Sequence, residues 1–286
     1  MGQPQVSVVI PVWNGERYLK EAIESILAQD FGDFELIIVD DGSTDESVKI
    51  ADSFVDDPRV SIRRQANAGV VAARNAGLLN ARAEFVAFLD ADDVAIPSRL
   101  SKQFTYLLGN PEVAAVGSHI SHFNADKGAY LTQVFPIGVS RVADALEDGN
   151  PLAQPAVMLR KSMVAAVGGY REAFKFGAED YDLWLRLSER HLLDNLPEVL
   201  TLYRIHDDSL THRRRHEQTF AALAAACAHR RRITGRGDPL EGLSKPLSPA
   251  VLPLLGLSEI EESAFMPSLF SLLAKSENAP DLHLSL

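Results

Sequence analysis

An apolar run that ends in three carboxylates constrains this chain more than any other feature. Phe85-Val86-Ala87-Phe88-Leu89 leads directly into Asp90-Ala91-Asp92-Asp93. A strand buried along its length cannot keep unpaired ionised acids in the core, because each loses several kcal/mol of hydration. The acids therefore belong at the exposed carboxyl end of a strand, where they require a cation. Asp90 and Asp92, at i and i+2, offer closely spaced oxygens that suit a hard divalent ion, Mg²⁺ or Mn²⁺, shared with phosphate oxygens. Alone, such a pattern also fits an Asp-rich turn ahead of a helix, so the rest of the chain has to decide.

The residues before it alternate strand and helix. Val6-Ser7-Val8-Val9-Ile10 is a β-rich run stopped by Pro11. Leu19, Ala22, Ile23, Ile26 and Leu27 then recur at helical spacing. Glu35 to Val39 predicts a second strand, closed by Asp40-Asp41-Gly42. Ser43 and Glu46 form a capping-box pattern for a helix through about Phe54. Val60 to Ile62 predicts a third strand, Val70 to Leu79 a helix and Glu84 to Leu89 a fourth strand. Continuous apolar strands separated by helices predict a parallel sheet covered on both faces.

Beyond Pro97 a helix is expected with Leu100, Phe104, Leu107 and Leu108 inward. Ala114 to Gly117 and His119 to Phe123 predict two further strands, in an antiparallel part of the sheet. A helix over 140–148, a strand near 156–159, a short helix ending at Gly168-Gly169, a helix over 178–190 and a strand over 198–205 follow. A long Ala- and Arg-rich helix is expected from Thr211 to about Ile233, then an irregular extension over 235–286.

Ligands of an open α/β sheet bind outside the carboxyl ends of its strands. Three such ends are polar here: Pro11-Val12-Trp13-Asn14-Gly15-Glu16, Asp40 to Asp45, and Asp90 to Asp93. Asp40 is placed to accept from a ligand N–H such as that of a pyrimidine ring, or simply to close the turn. Arg74, one turn into a helix, suits either a diphosphate or an acidic loop. No G-x-G-x-x-G follows the first strand and no G-x-x-x-x-G-K-[ST] occurs, which counts against a dinucleotide-binding dehydrogenase and a P-loop nucleotidase.

A net charge of −11 argues against nonspecific nucleic-acid binding. The lone Cys227 excludes an internal disulfide. Nothing in Met1 to Gln5 resembles a signal peptide, and no apolar run approaches the roughly 18 residues of a membrane span. The expectation is a cytoplasmic protein. Arg213, Arg214, Arg215, Arg230, Arg231, Arg232 and Arg236 suggest peripheral contact with an anionic membrane face or polyanionic acceptor, or else a solvated helix face.

Several strings together resemble the family 2 glycosyltransferases. They are Val9 to Leu19, Ser25 to Gln29, Val39 to Asp45, Asn67-Ala68-Gly69 with Ala73-Arg74-Asn75-Ala76-Gly77, and Leu89 to Asp93 with Pro97, Arg99 and Leu100. Glu179 to Arg186 and Tyr203-Arg204-Ile205-His206 with Ser209 continue the match to about residue 210. The resemblance implies a GT-A fold: a mostly parallel mixed sheet with helices on both faces. It divides the chain into a catalytic domain over 1–210, with a nucleotide-binding half to 117 and an acceptor-binding half over 118–210, and a carboxy-terminal helix and extension over 211–286.

The same resemblance implies an inverting sugar transfer from a UDP or dTDP donor, with GDP donors also known in the family. The acceptor would be a saccharide, lipid-linked or protein-linked glycan. Pro11, Val12, Asn14, Glu16, Asp40, Asp41, Asn67, Arg74, Asp90 and Ala91 then bind the donor. Asp92, with Asp90 and His206, holds Mn²⁺ or Mg²⁺, and Asp180 is the general base. Glu179 orients Asp180 or touches the acceptor. Trp184 shares a helix face with Asp180 and suits either an acceptor ring or the core. The Q-x-x-R-W motif and membrane spans of processive members are missing, which favours single addition. A nucleotidyltransferase and an inactive nucleotide-sugar-binding protein are the alternatives.

Overall fold

The structure, a computed structural model, describes residues 2–124, 130–206 and 215–247. Its framework is one mixed sheet in the order β3-β2-β1-β4-β8-β6-β9-β5, with β7 paired to β6. Strands β1 (Val6–Val12), β2 (Phe34–Asp40), β3 (Val60–Arg64) and β4 (Phe85–Phe88) are parallel neighbours. The chain builds outward from β1 to β3 and then returns on the other side of β1 as β4. Strand order therefore reverses at β1 and β4, and the crevice beyond their carboxyl ends is the natural ligand site.

Side-chain alternation divides these strands between two cores. Val6, Val8, Ile10 and Val12 of β1, with Phe85 and Ala87 of β4, face α1 (Leu19–Leu27) and α4 (Arg99–Gly109). Val9, Val86 and Phe88 face the opposite layer of α3 (Val70–Asn80), α5 (Val139–Leu146), α6 (Lys161–Ala166), α7 (Glu179–Ser188) and α8 (Arg215–Ile233). A short α2 (Ser47–Asp52) packs Ala51 on the first face.

The other half of the sheet is β5 (Val94–Ala95), β6 (Val113–Phe123), β7 (Tyr130–Gln133), β8 (Met158–Arg160) and β9 (Leu192–Arg204). β8 runs antiparallel to β4 and β6, β9 runs parallel to β6, and β5 and β7 are antiparallel to their neighbours.

Several expectations change. The two strands predicted over 114–123 are one continuous β6. β9 begins six residues earlier than the predicted 198, because Asp194, Asn195 and Pro197 interrupt its apolar pattern. The β6 register passes from Leu196 opposite Ser118 to Val199 opposite His119, so Pro197 and Glu198 sit in a bulge that needs no ladder N–H from proline.

Ser43 does not cap α2. Its hydroxyl accepts from Asn14 N, and Asp45 accepts from Ser47 N instead. In α4 the buried face is Leu100, Gln103 and Leu107, while Leu108 is exposed. Gln103 replaces an apolar residue because its amide donates to the Val116 and Ala156 carbonyls between β6 and β8.

The predicted start of the long helix at Thr211, with Arg213 and Arg214, lies outside the described residues, as does 248–286. Residues 235–247, expected to be irregular, dock against the body: Leu240 is buried and Leu247 N donates to Ala173 O. The arginines of α8 are not a uniform basic surface. Arg232 pairs with Glu189 and Asp238, and Ala221, Ala224, Ala225 and Ala228 lie in the core. Among the described residues no helix is long and apolar enough to cross a membrane.

The contact between α3 and β1 is set by Gly77. A Cβ there would lie 2.3 Å from Val9 Cγ1. Gly77→Ala would gain about 1 kcal/mol of helix propensity, but overpacking a core costs about 1–3 kcal/mol. The expected outcome is a Tm lower by a few degrees in thermal denaturation. An unchanged or higher Tm would mean that Val9 can move aside.

Candidate active site

The loops after β1 and β2 are laced together. Asn14, in the left-handed region at φ 51°, donates its N–H to Ser43 Oγ at 3.0 Å and accepts from Thr44 N at 2.8 Å. Glu16 N donates to Asp45 Oδ2 at 3.0 Å, and Glu46 N to Glu16 Oε2 at 2.9 Å. These reciprocal bonds make the two strand ends one rigid wall. Pro11 and Val12 are buried behind it, so they can meet a ligand only through backbone. Trp13 projects from it with 55% of its surface exposed. The site residues expected from the sequence did not include Trp13. The signal was a large aromatic between two strand-end residues.

Asp40 is buried at the base of this wall and accepts from Ser43 N at 3.2 Å. Asp41 serves the loop and not the crevice: its carboxylate accepts from Gln65 Nε2 at 2.7 Å, Ala68 N at 2.9 Å and Gly69 N at 2.7 Å. That fixes the turn carrying Asn67, which is exposed, at the start of α3.

The acids after β4 have three different partners. Asp90 Oδ1 accepts from Arg74 Nη2 at 3.1 Å. Asp92 Oδ2 lies 2.9 Å from His206 Nε2, and the His206 ring packs against Tyr18, tilted at 46° with centroids 5.2 Å apart. Asp93 is buried and accepts from Arg204 N at 2.9 Å, which ties β9 to this turn. Arg204 also donates to Asp92 O at 2.7 Å and pairs with Glu21 at 2.5 Å, with its guanidinium between the Tyr18 and Phe123 rings. Burial and the nearby Asp90 charge raise Asp92, against the bond from His206. Behind the turn, the fully buried Arg99 donates to the Phe88 carbonyl at 2.6 Å and the Val157 carbonyl at 3.2 Å, locking the end of β4 to β8.

The base candidate comes from the other half of the chain. Ala178, at φ 57°, turns the backbone into α7. A non-glycine residue in this region stores about 1–3 kcal/mol of strain that its surroundings must hold. Glu179, Asp180 and Asp182 occupy the first turn of α7, where the helix dipole favours anions. Glu179 is buried against Arg74 Nη1, so Arg74 bridges Glu179 and Asp90. Asp180 accepts from Asn150 Nδ2 and from Tyr181 N, each at 2.7 Å. Burial and the Glu179 charge push Asp180 up to about 6, against Arg74 and these two bonds. Asn150 was not among the residues singled out from the sequence.

Trp184 corrects an expectation. It has no accessible surface and lies in the core, so it cannot stack on an acceptor ring. The helix turns it inward because α7 buries nearly all of its length between α8 and the sheet.

The donor atoms near the acidic turn fit a divalent cation in part. Asp92 and His206 present one carboxylate oxygen and one imidazole nitrogen side by side, a pair compatible with Mn²⁺. Among the described residues no three His, Cys, Asp or Glu side chains form a ready-made ligand set. Asp90, expected as a further ligand, has one oxygen engaged by Arg74.

Strand-end carboxylates at a strand-order reversal, joined through Arg74 to the first turn of α7 and its raised Asp180, mark the candidate ligand site of this α/β fold. The family model for glycosyl transferase family 2 matches residues 7–166, more than half of the chain, which belongs to that family. The O-antigen biosynthesis glycosyltransferase WbnJ of Escherichia coli is 34% identical over 209 residues, 71% of this chain and 81% of that protein. The amylovoran biosynthesis glycosyltransferase AmsE of Erwinia amylovora is 32% identical over 213 residues, 73% of this chain and 79% of the relative.

Among solved structures, S. aureus TarS 1-349 in complex with UDP-GlcNAc matches with a TM-score of 0.66 at 17% identity, covering 95% of this chain and 80% of that one. The mannosyltransferase PcManGT from Pyrobaculum calidifontis, in complex with GDP-Man and Mn²⁺, matches with a TM-score of 0.62 at 18% identity, covering 98% and 77%. The chain is a glycosyltransferase, and its fold is GT-A.

Arg74 is the test of this geometry. Arg74→Met would leave Asp90, Glu179 and Asp180 without their cation, and removing one partner of a buried pair costs about 3–5 kcal/mol. Asp180, already raised from 3.8 to about 6, would rise further. The folded variant then binds protons that the unfolded chain releases, so its stability falls as pH rises through this range. Urea denaturation should show a small defect near pH 4 and a large one at pH 8. A pH-independent defect would count against the electrostatic account.

Proposed function

We propose that this chain is an inverting, single-addition transferase that moves a sugar from a nucleoside diphosphate donor to a glycan hydroxyl, with Asp180 as the general base. The observation that carries the reading is the Arg74 bridge. It ties Glu179, the neighbour of Asp180, to the Asp90 turn, so base and donor crevice share one site. A group near 6 is mostly ionised at neutral pH yet basic enough to take a proton from an attacking hydroxyl. Inversion follows if that hydroxyl attacks opposite the departing diphosphate in one displacement.

The donor's base would enter between the laced β1 and β2 loops. Asp40 accepts a ring N–H there, and the exposed Trp13 offers a face for stacking. Asn14, Glu16 and Asn67 shape the wall, and Asp90 and Ala91 border the sugar diphosphate. Asp92 and His206 would hold Mn²⁺ or Mg²⁺, which supplies charge neutralisation to the diphosphate. UDP or dTDP is favoured by the pyrimidine contact assigned to Asp40. The UDP-GlcNAc complex of TarS supports this, and PcManGT with GDP-Man keeps guanine donors in view. The names of AmsE and WbnJ support a surface polysaccharide or O-antigen-type acceptor, bound by the half over 118–210. Membership of a glycosyltransferase family favours this reading over a nucleotidyltransferase. It leaves an inactive donor-binding protein as the reading to exclude.

The donor screen, site variants and pH dependence check this. Thermal shift with UDP, dTDP, GDP and CDP sugars, with and without Mn²⁺, should give a Mn²⁺-dependent rise with one nucleotide class, and His206→Ala should remove the Mn²⁺-dependent part. No shift with any donor would sink the donor site. With the stabilising donor, Asp180→Asn should retain binding and lose about 10²–10⁴-fold in transfer. Wild-type transfer should fall as pH drops below about 6, as Asp180 takes up its proton; a flat profile from pH 5 to 8 would remove Asp180 as the base.

A further inference from the structure

The loop that leads into Asp180 holds a short turn of its own over Glu172–Phe174, but its last residues before α7 depend on their surroundings. Residues 168–178 carry Gly177 at φ 143° and the strained Ala178, and a left-handed alanine persists only where its surroundings impose it. One side of the loop is fastened to α3: Asn75 Nδ2 donates to Tyr170 O at 2.8 Å, and Tyr170 N donates to Asn75 Oδ1 at 3.1 Å. The loop is also fastened from α7, where Arg186 Nη2 donates to Gly169 O at 2.8 Å, and from the carboxy-terminal part of the chain. Leu247 N donates to Ala173 O at 2.8 Å. Gln218 of α8 packs so closely on Gly177 that a Cβ there would lie 2.3 Å from its Cγ.

The strongest tie is ionic. Arg171 Nη2 donates to Asp238 Oδ2 at 2.5 Å, while Arg171 Nε lies 3.6 Å from the buried Asp182 of α7. Asp182 is also held by Arg186 at 2.7 Å. Asp238 is fixed in turn by Arg232 Nη1 at 3.2 Å and Leu240 N at 2.9 Å. A chain of charges thus runs from Asp238 through Arg171 to a residue two positions beyond Asp180. All of its carboxy-terminal members lie beyond the stretch over 7–166 that the family model matches.

We propose that residues 235–247 brace the catalytic loop and that Asp238 is a positioning residue for Asp180. The proposal rests on the reading of Asp180 as base. The hydrogen bonds of Asp238 run to Arg171, Arg232 and Leu240, none of which belongs to the donor crevice. Loss of its charge therefore releases the loop while leaving donor binding in place. Burial opposes the charge of Asp238, but the bonds from Arg171 and Leu240 and the nearby arginines hold it below the usual carboxylate range, so it is an anion throughout the working pH range.

The experiment compares full-length wild type, Asp238→Asn, Asp238→Ala, Asp238→Glu and Asp180→Asn. The probe is the nucleotide sugar that stabilises the protein in the donor screen. Nucleoside diphosphate release is measured with water as acceptor, and donor Kd by thermal-shift titration. Asp238→Asn is isosteric, so it keeps the test open if the alanine variant fails to fold. The expected result is a kcat about 10- to 100-fold lower in Asp238→Asn, the scale set by a displacement of about 1 Å. Donor Kd should stay within about twofold, the acid limb of the pH profile should move, and Asp238→Glu should recover most of the rate.

Wild-type turnover in Asp238→Asn, or equal losses in turnover and donor affinity, would overturn the brace. Asp238→Glu no better than Asp238→Ala would do the same. Lost turnover in Asp180→Asn beside wild-type turnover in Asp238→Asn would overturn the brace alone. Wild-type turnover in Asp180→Asn would overturn the base reading and the brace with it.

Discussion

The structure of this site depends on one buried guanidinium. Arg74, on α3, is enclosed between Asp90 at the end of β4 and Glu179 at the start of α7, with the Tyr170 ring 5.9 Å from its centre. Burial disfavours its charge, and the two carboxylates more than offset that and keep it protonated. A buried ion of this kind is tolerable only when its charge is paired. The first half of the chain supplies the arginine and Asp90, and the second half brings Glu179 to it. The position of α7 and the turn after β4 are therefore joined through one interaction.

Around that centre the acids divide by what they touch. Asp41, Asp45 and Asp93 accept backbone N–H groups and shape loops. Asp182 and Asp238 pair with arginines. Asp92 lies partly exposed beside His206, and Asp180 is raised by burial and by Glu179. A carboxylate saturated with backbone donors has little left for a ligand, whereas one facing another charge at an open edge retains it.

Much of the fold was legible in the chain. β1, β2 and β4 are continuous apolar runs close to where that pattern predicts, because burial on both faces leaves no polar alternation to confuse, although β1 runs on through Pro11, expected to stop it, to Val12. α3 and α7 fall within a residue or two of their predicted limits. β9 was half missed, since its polar residues and Pro197 are compatible with a strand only when a bulge against β6 accommodates them. The false capping box at Ser43 failed because the hydroxyl was claimed by Asn14, 29 residues away. In the site, Asp92 and His206 do meet, though 114 positions apart. No local pattern carries that meeting; it was reached through family resemblance. Trp184 shows the converse: helical spacing put it on the face of Asp180, and only packing decides that this face turns inward further along α7.

The sequence by itself determined that acids must cluster at strand ends, because apolar strands cannot hide them, and that those ends would gather at one edge of a sheet. It also determined which family the chain resembles. Tertiary structure alone decided how those acids are paired. It put the arginine between Asp90 and Glu179, raised Asp180 by enclosing it, and set residues 235–247 against the loop that carries it. The reason is physical: proton affinity and pairing depend on distances across the fold and on exclusion of water, and neither is a property of neighbours along the chain.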